Sequence, residues 1–167
     1  LVEELKSLVQ KEIDALGRIP IDETLTDAVN LIHHQVHEKK GKVVIGGMGK
    51  AGQIGMNIAT TLSSTGTPAV FVHPMEAQHG DIGVLQDEDL LFLISNSGIT
   101  NEVLMLAELA KNLNPNIRII ALTGDRTGKL AELADVSIIT GKPEEICPLG
   151  LTPTTSTTTM TVIGDLI

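Results

Sequence analysis

The sequence has no tryptophan, no tyrosine, two phenylalanines and a single cysteine in 167 residues. One cysteine, Cys147, excludes an internal disulfide. With aromatics at 1%, the core must be built from Leu, Ile, Val, Ala and Met, which suits helices layered on a sheet. Long apolar runs are missing too. The longest, about Leu90 to Ile94, falls far short of the ~18 residues of a membrane-spanning helix, so no membrane partner is expected. Basic charge is scarce: 12 Lys plus Arg against 21 Asp plus Glu give a net charge of -9 and a pI near 4.9. That balance speaks against nucleic acid, whose phosphate backbone selects basic surfaces. No basic segment followed by an apolar one opens the chain, which leaves the cytoplasm as the default location. At roughly 100 to 200 residues per domain, residues 1–167 read as one domain, and a chain of this size buries on the order of 70% of its unfolded surface without a structural metal.

What is present is a regular alternation of periods. Leu5, Leu8, Val9, Ile13 and Leu16 recur with helical spacing over Leu1–Leu16. A second helix is expected from an N-cap at Asp22 to Gly41, with Leu25, Val29, Ile32 and Val36 on one face. Strands are expected at Lys42–Gly46, Ala69–Val72, Leu90–Ile94, Ile117–Leu122 and Val136–Ile139, with helices at Gly52–Ser64, Asn101–Leu113 and Arg126–Ala134 between them. Continuously apolar strands alternating with helices are buried on both faces, so the fold class is α/β: a three-layer αβα sandwich around a five-stranded parallel sheet. In such sheets ligands bind beyond the carboxyl ends of the strands.

Four loops lie there. Gly47-Met48-Gly49-Lys50-Ala51-Gly52 has the spaced glycines of a dinucleotide loop, but the second strand ends Phe71-Val72-His73-Pro74 and lacks the acid that would hold a ribose. Gly124–Lys129 fails as a P-loop, with three residues between its glycines and Leu130 where Ser or Thr is required. The first loop is left with backbone N–H groups at a helix start and the charge of Lys50, which together suit an anion. A tight strand-to-helix turn with a solvated lysine is the alternative. After the third strand, Ser95, Ser97 and Thr100 set three hydroxyls around Gly98 where a helix begins, so side-chain and backbone donors can converge on one phosphate. Helix capping is the competing explanation, although it needs one hydroxyl rather than three. His79, before Gly80-Asp81, could transfer protons near neutral pH or be an ordinary loop histidine. His33 and His37 have metal-ligand spacing but no third ligand nearby, so no metal is expected there.

Taken together, Val44-Ile45-Gly46-Gly47-Met48-Gly49-Lys50-Ala51-Gly52, Ser64-Thr65-Gly66-Thr67-Pro68, Val72-His73-Pro74 with Glu76-Ala77 and His79-Gly80-Asp81, Ile94-Ser95-Asn96-Ser97-Gly98, and Cys147-Pro148-Leu149-Gly150-Leu151 running into Pro153–Thr158 resemble the sugar isomerase (SIS) domain family, and within it the arabinose 5-phosphate isomerases. The resemblance implies a flavodoxin-like sandwich that interconverts D-ribulose 5-phosphate and D-arabinose 5-phosphate, the first step toward the Kdo of lipopolysaccharide. It implies a homotetramer with sites at subunit interfaces. Phosphate-holding hydroxyls would fall on Ser95, Ser97 and Thr100, and the catalytic lysine, histidine and glutamate on Lys50, His79 and Glu102. Sugar contacts would fall on Gly49, His73, Asn96, Thr154, Thr155 and Ser156, the last three in a hydroxyl-rich stretch otherwise readable as a linker. The family's paired CBS module and the histidine of its His-Pro-Gly-Gly stretch would lie beyond Ile167.

The implied isomerisation needs a base at the carbon beside the carbonyl, assigned to Glu102. It also needs a proton shuttle between sugar oxygens, assigned to His79, and a cation for the developing enediolate, assigned to Lys50. No cofactor and no metal is called for. A sugar nucleotide such as CMP-Kdo, bound directly at this domain, is expected as a feedback ligand. The rivals are an isomerase of a hexulose or heptulose phosphate and a sugar-phosphate sensor, which would keep Ser95, Ser97 and Thr100 but have no use for Lys50, His79 and Glu102 together.

Overall fold

A computed structural model describes residues 1–167. Helix α1 (Val2–Leu16) and helix α2 (Glu23–Ile32) lead into a repeating unit: β1 (Val43–Gly47), α3 (Gly49–Ser64), β2 (Ala69–Phe71), α4 (Pro74–Ala77), β3 (Leu90–Ser95), α5 (Asn101–Leu113), β4 (Arg118–Thr123), α6 (Lys129–Leu133), β5 (Val136–Ile139) and α7 (Thr155–Leu166). The strands form one all-parallel sheet in the order β2-β1-β3-β4-β5. Alternate residues of each strand enter opposite cores. Val43, Ile45, Leu90, Phe92, Ile94, Ile120, Leu122 and Ile138 pack with apolar residues of α2, α3 and α7. Val44, Leu91, Leu93, Ile119 and Ala121 pack with α5, Ala77 of α4 and Leu130 of α6. The three-layer sandwich is therefore as the alternation predicts. No helix is long and apolar enough to cross a membrane.

The strand order reverses between β1 and β3. From there α3 crosses to one face and α5 to the other, opening a crevice at the carboxyl ends of these two strands where a parallel sheet binds ligands.

Several element ends differ from expectation. The second helix does not run as an α-helix to Gly41 but widens into a π-helical segment, His33–Glu38. Gly41 then lies so close to the Glu88 carbonyl that a Cβ would come within 2.1 Å of its oxygen. Helix α3 starts at Gly49 rather than Gly52, with extended Met48 as its N-cap and Gly49 at φ +55. Helix α6 is shorter than Arg126–Ala134, because Asp125 Oδ1 accepts from Thr127 N and Oγ1, both at 2.9 Å, and holds a turn there. Helix α1 has the expected periodicity but no buried residue: Leu5, Val9 and Ile13 are 53%, 60% and 54% exposed. It is tied to α7 by the Thr155 hydroxyl, which donates to Glu12 Oε1 at 2.6 Å.

Candidate functional site

The loop after β3 is drawn into a tight turn by Gly98 at φ +68, a left-handed conformation that suits glycine. Ser95 Oγ accepts from Gly98 N at 3.1 Å and is hydrogen-bonded to Thr100 Oγ1 at 2.8 Å, while Ser97 Oγ accepts from Ile99 N at 3.4 Å. Thr100 occupies the N-cap position of α5, yet its side chain accepts from none of the helix amides. The backbone N–H groups of Ser97, Asn101 and Glu102 have no acceptor within the chain. Three hydroxyls and a set of open amides at the positive end of a 13-residue helix have the donors that an oxoanion would require. The arrangement favours anion binding over capping.

The loop after β1 forms the second wall. Its glycines have packing reasons of their own: a Cβ on Gly52 would meet the Gly47 carbonyl oxygen at 2.6 Å, and one on Gly55 would press on the Phe71 ring at 3.1 Å. They bring α3 close to its strand and so carry Lys50, exposed and in no ion pair within the chain, to the crevice.

The third wall comes from the start of α7 and the turns after β4 and β5. Glu145 accepts from Thr154 N at 2.7 Å, Thr154 Oγ1 at 2.8 Å and Ser156 N at 3.2 Å. Burial by itself would raise the pKa of Glu145, but the hydrogen bonds from Ser156 and Thr154 outweigh it and hold the carboxyl below its ordinary range. An ionised carboxylate thus caps α7. Ser156 is 1% exposed, with its side chain beside the Glu145 carboxylate, and the buried Oδ1 of Asn96 has no partner, like Glu12 Oε2 outside the cleft. Buried polar atoms without partners are uncommon, and the one on Asn96, a residue of the cleft lining, is free to take a further hydrogen bond.

The three walls enclose a cleft of about 540 Å³ lined by Lys50, Ser95, Asn96, Ser97, Thr100 and Ser156 from the expected set, together with Met48, Ile99, Asp125, Lys142, Pro153 and Met160. Half of the expected site residues are therefore gathered in one place. Glu102, half-buried in the first turn of α5, does not line the cleft, and neither does Gly49 at the exposed start of α3. His79 is exposed on the loop that follows α4, outside the cleft. His73 is the N-cap of α4, where its Nδ1 accepts from Met75 N at 3.3 Å. Thr154 and Thr155 spend their hydroxyls on Glu145 and Glu12 and hold α7 in place. Sequence reasoning misses Lys142 and Asp125. Both lie in turns at the carboxyl ends of strands, the one positional signal that could have found them. No group of three or more His, Cys, Asp or Glu side chains is placed to hold a metal ion.

Comparison with known proteins identifies the family. The SIS domain profile matches residues 36–167. The arabinose 5-phosphate isomerase KdsD of Yersinia pestis is 41% identical over 156 residues, which are 93% of this chain and 47% of the relative. The enzyme of the same name from Pseudomonas aeruginosa is 48% identical over 128 residues, 77% of this chain and 39% of the relative. The chain thus spans about half the length of the curated relatives it matches. Among solved structures, a candidate phosphosugar isomerase involved in capsule formation, from Bacteroides fragilis, is 57% identical with a TM-score of 0.98, over 99% of this chain and 86% of that one. An Escherichia coli CFT073 protein in complex with arabinose 5-phosphate is 37% identical with a TM-score of 0.85, over 98% of this chain and 85% of that one. The profile match over residues 36–167, on a five-stranded parallel sheet with a Ser/Thr-rich turn at its crevice, places the chain in the SIS domain family.

Proposed function

We propose that the chain is a phosphosugar aldose–ketose isomerase that interconverts D-ribulose 5-phosphate and D-arabinose 5-phosphate through an enediol. The observation that carries this reading is the cradle at Ser95, Ser97 and Thr100 with the uncapped start of α5, open to a cleft that also holds a free lysine. The names of the curated relatives and the arabinose 5-phosphate bound to the Escherichia coli protein support the choice of sugar.

In this mechanism the cradle takes the phosphate and fixes the distance from it to the reacting carbons. Glu102, in the first turn of α5 beside the lining of the cleft, removes the proton from the carbon beside the carbonyl, exchanges it with solvent and protonates the neighbouring carbon. Lys50 stabilises the enediolate oxygen. Asn96, with its unpartnered buried Oδ1, and Ser156, in the cleft wall, bind sugar hydroxyls. His79 moves the proton between the two oxygens. It lies outside the cleft lining of its own chain, and in the proposed homotetramer it serves a neighbouring subunit. Only protons are relocated, so no cofactor is needed. The product feeds synthesis of the Kdo of lipopolysaccharide in the cytoplasm, and CMP-Kdo acts back on this domain as a feedback ligand.

Replacement of Glu102 by Gln tests the assignment. The variant should bind the phosphosugar while losing exchange of the carbon-2 proton with solvent, followed by deuterium incorporation. Full exchange in Glu102→Gln would remove Glu102 from the role of base.

A further inference from the structure

We propose that Lys142, in the turn after β5, is a second phosphate-binding cation of this cleft and sets its preference for dianionic over neutral sugars; the inference rests on the phosphosugar reading above. Gly141 and Lys142 both have positive φ, +81 and +50, a backbone conformation that side-chain-bearing residues rarely adopt. The turn is held by Thr140 Oγ1, which accepts from Lys142 N at 3.3 Å. It is also braced against the segment before α2, where a Cβ on Gly141 would meet Pro20 at 3.3 Å and the Arg18 carbonyl at 3.4 Å. The chain is thereby turned so that Lys142 lines the same cleft as Lys50.

Its neighbour in the cleft wall is Asp125. The Asp125 carboxylate uses Oδ1 for Thr127 N and Oγ1. These hydrogen bonds, and beyond them the charge of Lys142, hold the carboxyl below its ordinary range. Asp125 also packs on the phosphate turn itself, with its Cβ 3.7 Å from where a Cβ on Gly98 would stand. Lys142 and Asp125 thus line the same cleft as the cradle, and Lys142 is in no ion pair within the chain. The cleft lining carries two ammonium groups and one carboxylate, a net positive charge in a protein of net charge -9. A dianion entering the cradle then meets hydroxyls and helix amides together with two cations, and Lys142→Gln removes one of those cations.

The test is calorimetric binding of arabinose 5-phosphate, inorganic phosphate and unphosphorylated arabinose to the purified protein and to Lys142→Gln, Lys142→Arg and Lys39→Gln. Lys39 sits at the opposite end of the sheet, paired with Glu88, and controls for overall charge. Lys142→Gln should weaken both phosphate-bearing ligands about tenfold, the scale of one charge-assisted hydrogen bond. It should flatten their salt dependence and raise KM with kcat changed less than about twofold. Arginine should restore most of the affinity, and Lys39→Gln should bind as wild type. Equal affinity in Lys142→Gln would overturn the role of Lys142 and leave the isomerase reading standing. Wild-type protein that binds neither arabinose 5-phosphate nor phosphate would overturn the phosphate site on which both rest.

Discussion

Ser95 Oγ and Thr100 Oγ1 lie 2.8 Å apart across the Gly98 turn, and this pairing keeps the Thr100 hydroxyl off the amides of the helix that it precedes. A threonine in the N-cap position ordinarily satisfies one of those amides. Here the side chain is turned toward the cleft instead, and the first amides of α5 stay open for an anion.

That geometry separates binding from stability. A true threonine cap costs about 1 kcal/mol when replaced by alanine, whereas Thr100→Ala should change the unfolding free energy by less than about 0.5 kcal/mol and weaken inorganic phosphate about tenfold. Denaturant unfolding and calorimetry on the same preparation check this. A loss of stability with unchanged phosphate affinity would make Thr100 a cap after all.

The glycines of the first loop divide by cause. Gly52→Ala would place a Cβ 2.6 Å from the Gly47 carbonyl oxygen, so the variant should lose roughly 1 to 3 kcal/mol of stability, the range for overpacking against immovable backbone. Gly83→Ala, in the exposed 3-10 turn Asp81–Val84 between α4 and β3, meets nothing within 4 Å and has no positive φ, and should unfold like wild type. Equal midpoints for the two variants would contradict the packing argument.

Cys147 offers a pH signature. The backbone amides of Thr152, Leu149 and Leu151 favour its thiolate and bring the thiol pKa down from 9.0 to about 7. The depressed value means that the nucleophilic form is already half populated near pH 7 in the folded protein. Iodoacetamide alkylation should therefore rise with pH through a midpoint near 7, and in denaturant the midpoint should return to the ordinary thiol range. A folded-state midpoint near 9 would show that these amides do not stabilise the thiolate.

Much of this fold is legible in the sequence because burial on both faces leaves strands as plain apolar runs. The runs Leu90–Ile94 and Val136–Ile139 fall within a residue of β3 and β5. The π-helical end of the second helix is not legible, because it depends on how closely Gly41 approaches Glu88, 47 residues away. The start of α3 is hidden because glycines have no helical propensity to announce it. At the cleft, Ser95, Ser97, Thr100 and Lys50 can be named from two loops, since three hydroxyls and a charge beside helix starts exceed what capping or a plain turn needs. Lys142 and Asp125 cannot, because their meeting depends on two further turns folding over the same crevice. Resemblance assigns Thr154 and Thr155 to the sugar, and their hydroxyls are engaged with Glu145 and Glu12 within this chain. Periodicity also gives no sign that the apolar stripe of α1 stays exposed, since it reports a face but not what covers it.

The most direct test is turnover of D-ribulose 5-phosphate by the purified protein in deuterium oxide, scored for arabinose 5-phosphate and for label at carbon 2. The isomerase reading predicts arabinose 5-phosphate carrying deuterium at that carbon. Saturable phosphosugar binding with no product would contradict it and leave a sensor that shares the phosphate cradle without the chemistry.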